Sequence, residues 1–227
     1  MRAAQFCTAC GKVQPPAPVD YFRFFGLPRK LNLDVAALEK EFYALSRKLH
    51  PDLYARVGGL EQRWSEEQSS LLNDAYRTLK DPFRRTQYFL KLEGVELEEQ
   101  SKSATEKARA TGEVKKQVVP ADLLEEVFEL NLQLEELRAN KKMGEEDPQL
   151  ARDLDAHKKD LEKKYEALLD ELKGYWSEWD GLIAHQANLE MIPESARRPL
   201  RDKMVDLLNR RNYIRNLVRD VNEALGT

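Results

Sequence analysis

A proline stop between two helical patterns constrains the fold of this chain more than any other feature. Apolar residues recur every three or four positions over 35–49, which predicts an amphipathic helix. The helix is expected to end at His50, because Pro51 disfavours the α conformation in the residue before it. A second helical pattern begins after Gly58-Gly59. Together the patterns predict a helical hairpin whose connecting loop carries the segment Arg47-Lys48-Leu49-His50-Pro51-Asp52.

Capping signals place two more helices around this hairpin. Asp20 is a good N-cap for a short aromatic helix, and Asp34 is a good N-cap for the helix that runs to the proline stop. Asp81-Pro82 combines an N-cap with proline at the first helical position, so a fourth helix starts there. The apolar stripe expected on the third helix consists of Leu60, Trp64, Leu71, Leu72, Ala75, Tyr76 and Leu79.

The rest of the chain also has a helical pattern. Apolar residues keep helical spacing over about 120–140, 149–183 and 194–225, with breaks at Gly144 and at Ile192-Pro193. Three amphipathic helices with short connections predict an antiparallel bundle.

We therefore predict an all-α protein in four parts. These are a cysteine-containing tail and linker over 1–19, a small helical domain over 20–93, a polar linker over 94–118 and the three-helix bundle over 119–227. The helical hairpin and the two short helices make up the small domain.

Charge and composition exclude several classes of function. The net charge is −3, so the chain lacks the positive charge typical of nucleic-acid-binding proteins. No apolar run reaches the length of a membrane span, and the N-terminus resembles neither a secretory signal nor an Arg-rich transit peptide. Two cysteines do not make a disulfide framework. We expect a soluble, cytoplasmic protein that binds neither nucleic acid nor membranes.

The residues show no constellation for catalysis. His50 and Asp52 are separated by one residue, but no pattern places a nucleophile or a second base beside them. Gly58-Gly59 lacks the flanking residues of a phosphate-binding loop. Trp176 and Trp179 have acidic neighbours, which favours core or partner contacts over base stacking. We predict a binding protein and not an enzyme.

Cys7 and Cys10 form a CxxC pair near the N-terminus. Cysteines at this spacing resemble one knuckle of a zinc ribbon, in which both thiolates face one ion. A structural zinc site needs four ligands, and the histidines of the chain lie far away without ligand spacing. Three interpretations stay open, namely an incomplete knuckle, a zinc site shared between the two chains of a homodimer, and a redox pair.

The segment 20–93 resembles a J-domain. The tripeptide His50-Pro51-Asp52 stands at the end of an amphipathic basic helix, about 30 residues after Asp20-Tyr21-Phe22. The resemblance implies that this loop binds an Hsp70-type ATPase chaperone, HscA- or DnaK-like, and stimulates its ATP hydrolysis. It assigns the trigger to the tripeptide, with Arg47 and Lys48 in support.

The chemistry of the loop is consistent with a docking element. Pro51 restricts the backbone, so less conformational entropy is lost on binding, and Asp52 can accept charge-assisted hydrogen bonds. Tyr43 and Ala44 stand where the general J-domain pattern has cations, so the basic flank is thin. Most of the contact is therefore expected to come from the tripeptide.

Further motifs narrow the resemblance to the HscB-type J-domain co-chaperones of iron–sulfur cluster assembly. The motifs are Asp20-Tyr21-Phe22, Arg47-x-x-His50-Pro51-Asp52, Asn73-Asp74-Ala75-Tyr76-x-Thr78-Leu79 and Arg85-x-x-Tyr88-Phe89-Leu90. In that family a C-terminal three-helix bundle binds an iron–sulfur scaffold protein, IscU-like. The resemblance implies a co-chaperone that delivers the scaffold to an Hsp70.

The stretch from Leu123 to Leu130 resembles the scaffold-binding stretch of that family. The residues that this resemblance assigns to the scaffold are Leu124, Glu125, Phe128, Glu129, Leu132 and, on the third bundle helix, Tyr213. Three of them repeat every four residues and are predicted to form an exposed apolar patch, namely Leu124, Phe128 and Leu132. The inward stripe is predicted to consist of Leu123, Val127, Leu130 and Leu134.

The cysteine pair is similar to part of the same family pattern. Eukaryotic relatives carry two CxxC pairs before the J-domain, and Cys7 and Cys10 resemble the second pair. Zinc at these two cysteines is the cofactor that the resemblance implies. Two other functions stay open, a general J-domain co-chaperone with another client and a zinc- or thiol-binding helical adapter.

Overall fold

The structure, a computed structural model, describes residues 5–56, 58–95, 120, 123–184 and 192–226. These residues form seven α-helices and no β-strand, which confirms the all-α prediction. The helices are α1 (Tyr21–Phe24), α2 (Val35–Leu49), α3 (Gly59–Lys80), α4 (Pro82–Leu92), α5 (Leu124–Met143), α6 (Pro148–Ala184) and α7 (Glu194–Leu225). A short 3₁₀ turn, Pro51–Leu53, lies between α2 and α3. None of the described helices is both long enough and apolar enough to cross a membrane.

The chain packs as two units. The first consists of the described residues within Met1–Glu96 and Trp176–Arg197, and the second of those within Leu97–Tyr175 and Arg198–Thr227. The sequence gives no signal for this division, because α6 and α7 each contribute to both units as continuous helices. Most of the predicted linker over 94–118 lies outside the described residues, and the predicted domain limits stay predictions.

The predicted caps are present at the starts of α1, α2 and α4. The carboxylates of Asp20, Asp34 and Asp81 each accept a hydrogen bond from the backbone N–H three residues ahead, at 2.9, 3.0 and 2.7 Å. Each cap satisfies one of the N–H groups that the first turn of a helix leaves without a partner. Local sequence chemistry therefore sets the starts of these three helices.

In the first unit, α2 and α3 pack as an antiparallel hairpin. The Tyr76 hydroxyl donates to Glu39 at 2.8 Å near one end, and the Ser65 hydroxyl donates to the Leu49 carbonyl at 2.7 Å near the other. The buried core of this region consists of Val13, Phe22, Phe24, Phe25, Leu38, Leu45, Leu49, Leu72, Ala75 and Leu79. The hairpin predicted from the proline stop is thereby confirmed.

Two tryptophans near the end of α6 belong to the core of the same unit. Trp179 is fully buried and meets the Phe89 ring edge-to-face, with centroids 4.8 Å apart. Trp176 is also buried, and its indole N–H donates to the Thr86 hydroxyl at 3.0 Å. The prediction that these side chains are not nucleobase platforms agrees with their burial.

Polar contacts hold this segment of α6 against the chain between α1 and α2 and against α4. The Asp180 carboxylate accepts the backbone N–H groups of Leu31 and Asn32 at 2.8 and 2.9 Å. The Arg85 guanidinium stacks over the Trp176 ring at 4.5 Å, and burial lowers the pKa of Arg85 to about 10. Because hydrogen bonds to a carboxylate are stronger than those between neutral groups, these two bonds help to hold this segment within its unit.

The second unit is an antiparallel three-helix bundle, as predicted. Gln133 of α5 contacts His157 of α6 at 3.0 Å, and Arg211 of α7 lies over the Tyr165 ring of α6 at 5.2 Å. The Lys141 ammonium donates to the Ala224 carbonyl at 2.5 Å, so α5 and α7 run in the same direction. The inward stripe of α5 is buried, at Leu123, Val127, Leu130, Leu134 and Leu137.

Candidate functional site

The loop between α2 and α3 leaves the first helix abruptly at His50. Its backbone is extended there, with φ −62° and ψ 125°, as expected for a residue before proline. Pro51 then opens the 3₁₀ turn, in which the Leu53 N–H donates to the His50 carbonyl at 3.0 Å and the Tyr54 N–H donates to the Pro51 carbonyl at 2.9 Å. The tripeptide therefore lies in a hydrogen-bonded turn.

Three hydroxyl groups hold the carbonyls at the end of α2. Ser65 and Ser69 both donate to the Leu49 carbonyl, at 2.7 and 2.6 Å, and the Tyr54 hydroxyl donates to the Lys48 carbonyl at 3.1 Å. A helix leaves its last four carbonyls without internal partners, and these bonds satisfy two of them. Sequence reasoning missed all three hydroxyls. The one available signal is that two small polar residues, four positions apart, occupy the inward face of α3.

The predicted trigger side chains are exposed. The side chains of His50 and Asp52 are 55% and 88% accessible, and their ring Nδ1 and carboxylate oxygen lie 3.6 Å apart. The Asp52 backbone N–H donates to the same Nδ1 at 3.3 Å, and only an unprotonated nitrogen can accept that bond. The loop therefore offers an imidazole ring beside an exposed carboxylate.

The flank of the loop combines few cations with exposed apolar groups. Arg47 and Lys48 are exposed in the last turn of α2, where positive charge complements the helix dipole. Tyr43 is 54% exposed one turn earlier, Leu53 is 60% exposed in the 3₁₀ turn, and Leu60 is 63% exposed in the first turn of α3. A thin basic patch next to apolar groups is therefore what a partner would meet here.

The placement of Leu60 corrects the predicted apolar stripe of α3. Leu60 was expected to face the core, but it lies in the first turn of α3, which begins at Gly59. The end of α2 reaches α3 at Ser65 and Ser69, so the first turn projects beyond the part of α3 that α2 covers.

A second exposed apolar surface lies on α5. Leu124, Phe128 and Leu132 are 55%, 68% and 53% exposed, as the four-residue spacing predicted, and we call them the α5 patch. Glu125 and Glu129 are exposed on the same helix. An exposed apolar row bordered by carboxylates is typical of a site that binds a protein partner.

Tyr213 does not share this exposure. Its side chain is only 8% accessible on α7, and burial raises the pKa of its hydroxyl. It therefore offers little surface to a partner in this structure, and its assignment to the scaffold site stays a prediction. Tyr213 is buried because it lies on the inward face of α7, one residue before the buried Ile214.

The cysteine pair lies in a tight hairpin that belongs to the first unit. Phe6 pairs with Val13 in an antiparallel bridge, and Val13 is fully buried. Backbone N–H groups of residues 9 and 10 bond the Cys7 sulfur and lower the pKa of its thiol, with a further contribution from the Cys10 side chain. Such a turn is suited to present two thiolates to one ion.

The donor set around this pair is incomplete. Among the described residues, no group of three or more His, Cys, Asp and Glu side chains could hold a metal ion. A tetrahedral zinc site at Cys7 and Cys10 would therefore need two ligands beyond those that the described residues supply. The zinc expectation stays a prediction.

Comparison with known proteins identifies relatives of one kind. The chain is 40% identical over 95 residues to the mouse "Iron-sulfur cluster co-chaperone protein HscB", a match that spans 41% of each protein. It is 34% identical over 125 residues to a "Co-chaperone protein HscB homolog" from Cupriavidus taiwanensis, spanning 54% of this chain and 71% of that protein. A homologue from Vibrio cholerae is 42% identical over 79 residues, which is 46% of its length. The chain thus spans less than half of the mouse and Vibrio relatives. No family model matches the chain.

Solved structures support the fold. The crystal structure of the human co-chaperone protein HscB matches with a TM-score of 0.63 and 23% identity, covering 98% of this chain and 91% of that one. The chaperone HscB from Vibrio cholerae matches with a TM-score of 0.56 and 24% identity, covering 90% of this chain and 96% of that one. The Cupriavidus relative is 34% identical and the match spans 71% of it, so the chain belongs to the HscB family of co-chaperones.

Proposed function

We propose that the chain is an adapter in iron–sulfur cluster assembly. It binds an IscU-like scaffold protein through the α5 patch and an Hsp70 of the HscA or DnaK type through His50-Pro51-Asp52. It thereby delivers the scaffold to the chaperone and stimulates ATP hydrolysis by the Hsp70. The proposal assigns no chemical step to the chain itself, and its relatives are named as co-chaperones.

The observation that carries this proposal is the exposure of both predicted contact surfaces. The trigger tripeptide stands in a hydrogen-bonded turn with its polar side chains in solvent. The α5 patch is exposed although buried leucines, such as Leu130 and Leu134, lie between or next to its residues on the same helix. Large apolar side chains that are exposed to solvent lower the solubility of a protein. A partner-binding surface is the simplest explanation for a regular row of them.

The two surfaces suit partners of different chemistry. The loop presents one imidazole, one carboxylate and two nearby cations beside exposed apolar groups, so it fits a mixed surface with acceptors for Arg47 and Lys48. The α5 patch presents an apolar row flanked by Glu125 and Glu129, so it fits an apolar groove with basic groups at its rim. Binding of one partner therefore does not use the groups needed for the other.

A reconstituted ATPase assay tests the proposal. Purified full chain is added to an HscA-type Hsp70, with and without an IscU-type scaffold, and ATP hydrolysis is measured under single-turnover conditions. The proposal predicts stimulation by the chain alone and a larger effect when the scaffold is present. A chain that neither stimulates hydrolysis nor binds the scaffold would contradict it. Stimulation that the scaffold leaves unchanged would favour a general J-domain co-chaperone with another client.

A further inference from the structure

The carbonyl of Leu49 receives two side-chain hydrogen bonds from the neighbouring helix. The Ser65 hydroxyl donates at 2.7 Å and the Ser69 hydroxyl at 2.6 Å, so both lone pairs of this oxygen are used. Leu49 and Ser65 are both fully buried, and Ser69 is half-buried. The carbonyl belongs to the last residue of α2, directly before the tripeptide.

This arrangement is not the default for serine inside a helix. A helical serine usually bonds the carbonyl four residues earlier in its own helix or faces solvent. Here two serines of α3 are instead directed at one carbonyl of α2. Their spacing of four residues places both hydroxyls on the same face of the helix.

The Leu49 carbonyl has lost its ordinary helical partner. In a continued helix it would accept the N–H of Leu53, but that N–H donates to the His50 carbonyl in the 3₁₀ turn, at 3.0 Å. Without the serines, the tripeptide's turn would leave a buried carbonyl unpaired, which is unfavourable. The conformation of the turn and the two hydroxyls therefore depend on each other.

We propose that Ser65 and Ser69 are positioning residues of the trigger loop. The Leu49 carbonyl and the His50 N–H share one rigid peptide plane, so anchoring the oxygen fixes the direction in which His50 leaves α2. The hydroxyls thereby set where the tripeptide stands relative to α3 and lower the entropy that the loop loses on docking. This inference rests on the proposed function, since it assigns the serines a role in Hsp70 binding.

Alanine variants with matched controls test the inference. Ser65→Ala and Ser69→Ala remove one donor each, Ser70→Ala removes an exposed hydroxyl of the same helix, and Ser69→Thr keeps the donor. With an HscA-type Hsp70 as the probe, the two donor-deleting variants should raise the half-maximal concentration for ATPase stimulation roughly three- to tenfold, the effect of one net hydrogen bond. Maximal stimulation should be retained, and Ser70→Ala and Ser69→Thr should behave like the unmodified chain.

Amide hydrogen exchange separates positioning from general stability. The N–H groups of Leu53 and Tyr54 close the turn, so their protection should fall in Ser65→Ala and Ser69→Ala while amides in the middle of α3 stay protected. If Ser65→Ala does not fold, the ATPase titration and the hydrogen-exchange measurement are both made on Ser69→Ala, whose side chain is half-buried.

Three results would overturn the inference. These are an unchanged half-maximal concentration, unchanged protection of the turn, and an equal loss of protection throughout the unit. Failure of the proposed function looks different, because then the unmodified chain itself would not stimulate the Hsp70.

Discussion

Phe128→Ala and Leu130→Ala form a pair of substitutions, two residues apart on α5, that separates binding from folding. Phe128 is 68% exposed, so its removal should change the free energy of unfolding by less than about 0.5 kcal/mol. Leu130 is fully buried, so its truncation should cost about 2–5 kcal/mol. If the α5 patch binds the scaffold, Phe128→Ala should weaken that binding by about 2 kcal/mol, roughly thirtyfold in Kd, as for an aromatic anchor.

Urea unfolding and titration calorimetry with an IscU-type scaffold measure the two quantities on the same preparations. We expect a normal unfolding midpoint with weak binding for Phe128→Ala, and a lowered midpoint with nearly normal Kd for the molecules of Leu130→Ala that remain folded. Unchanged scaffold affinity of Phe128→Ala would refute the assignment of the α5 patch. A large loss of stability in the same variant would refute the exposure on which the assignment depends.

Three further predictions concern other parts of the chain. Trp176→Phe removes the indole donor to Thr86 and should lower the free energy of unfolding by about 1 kcal/mol in urea titrations, and adding Thr86→Val should lower it further because the Thr86 hydroxyl also donates to the Pro82 carbonyl at 2.9 Å. Asp180→Ala removes the acceptor of two backbone N–H groups and should cost more than Trp176→Phe, roughly 1.5–3 kcal/mol by the same measurement; an equal or smaller loss would count against these bonds. Because backbone hydrogen bonds lower its pKa, Cys7 should be alkylated by iodoacetamide near neutral pH faster in the folded chain than in the urea-unfolded chain, and the folded rate should fall as the pH drops through that pKa; mass spectrometry of the labelled peptide measures both rates.

The helices and their ends could be predicted because the signals are local. Asp34 caps α2 and Pro51 forces its end, and each depends only on residues within one turn. The α5 patch needed more than spacing, because the inward stripe also repeats at three and four residues; the resemblance to the HscB family singled out Phe128 and Leu132 as outward positions, and both are exposed.

Features that depend on tertiary contacts could not be predicted from local sequence signals. The spacing of Ser65 and Ser69 places two small polar residues on the inward face of α3, but it does not show that their hydroxyls reach the end of another helix. The packing of Trp176 against Thr86 joins residues 90 positions apart. Tyr213 also shows this limit, because an aromatic residue on an amphipathic helix fits the core and a binding surface equally well until its neighbours are known.

Hsp70 stimulation by two loop variants tests the central claim most directly. His50→Gln and Asp52→Asn change exposed side chains, so each should keep the free energy of unfolding within roughly 0.5–1 kcal/mol of the unmodified chain. Both should abolish stimulation of an HscA-type ATPase in single-turnover assays while scaffold binding stays normal. Full stimulation by either folded variant would contradict the claim that His50-Pro51-Asp52 is the trigger.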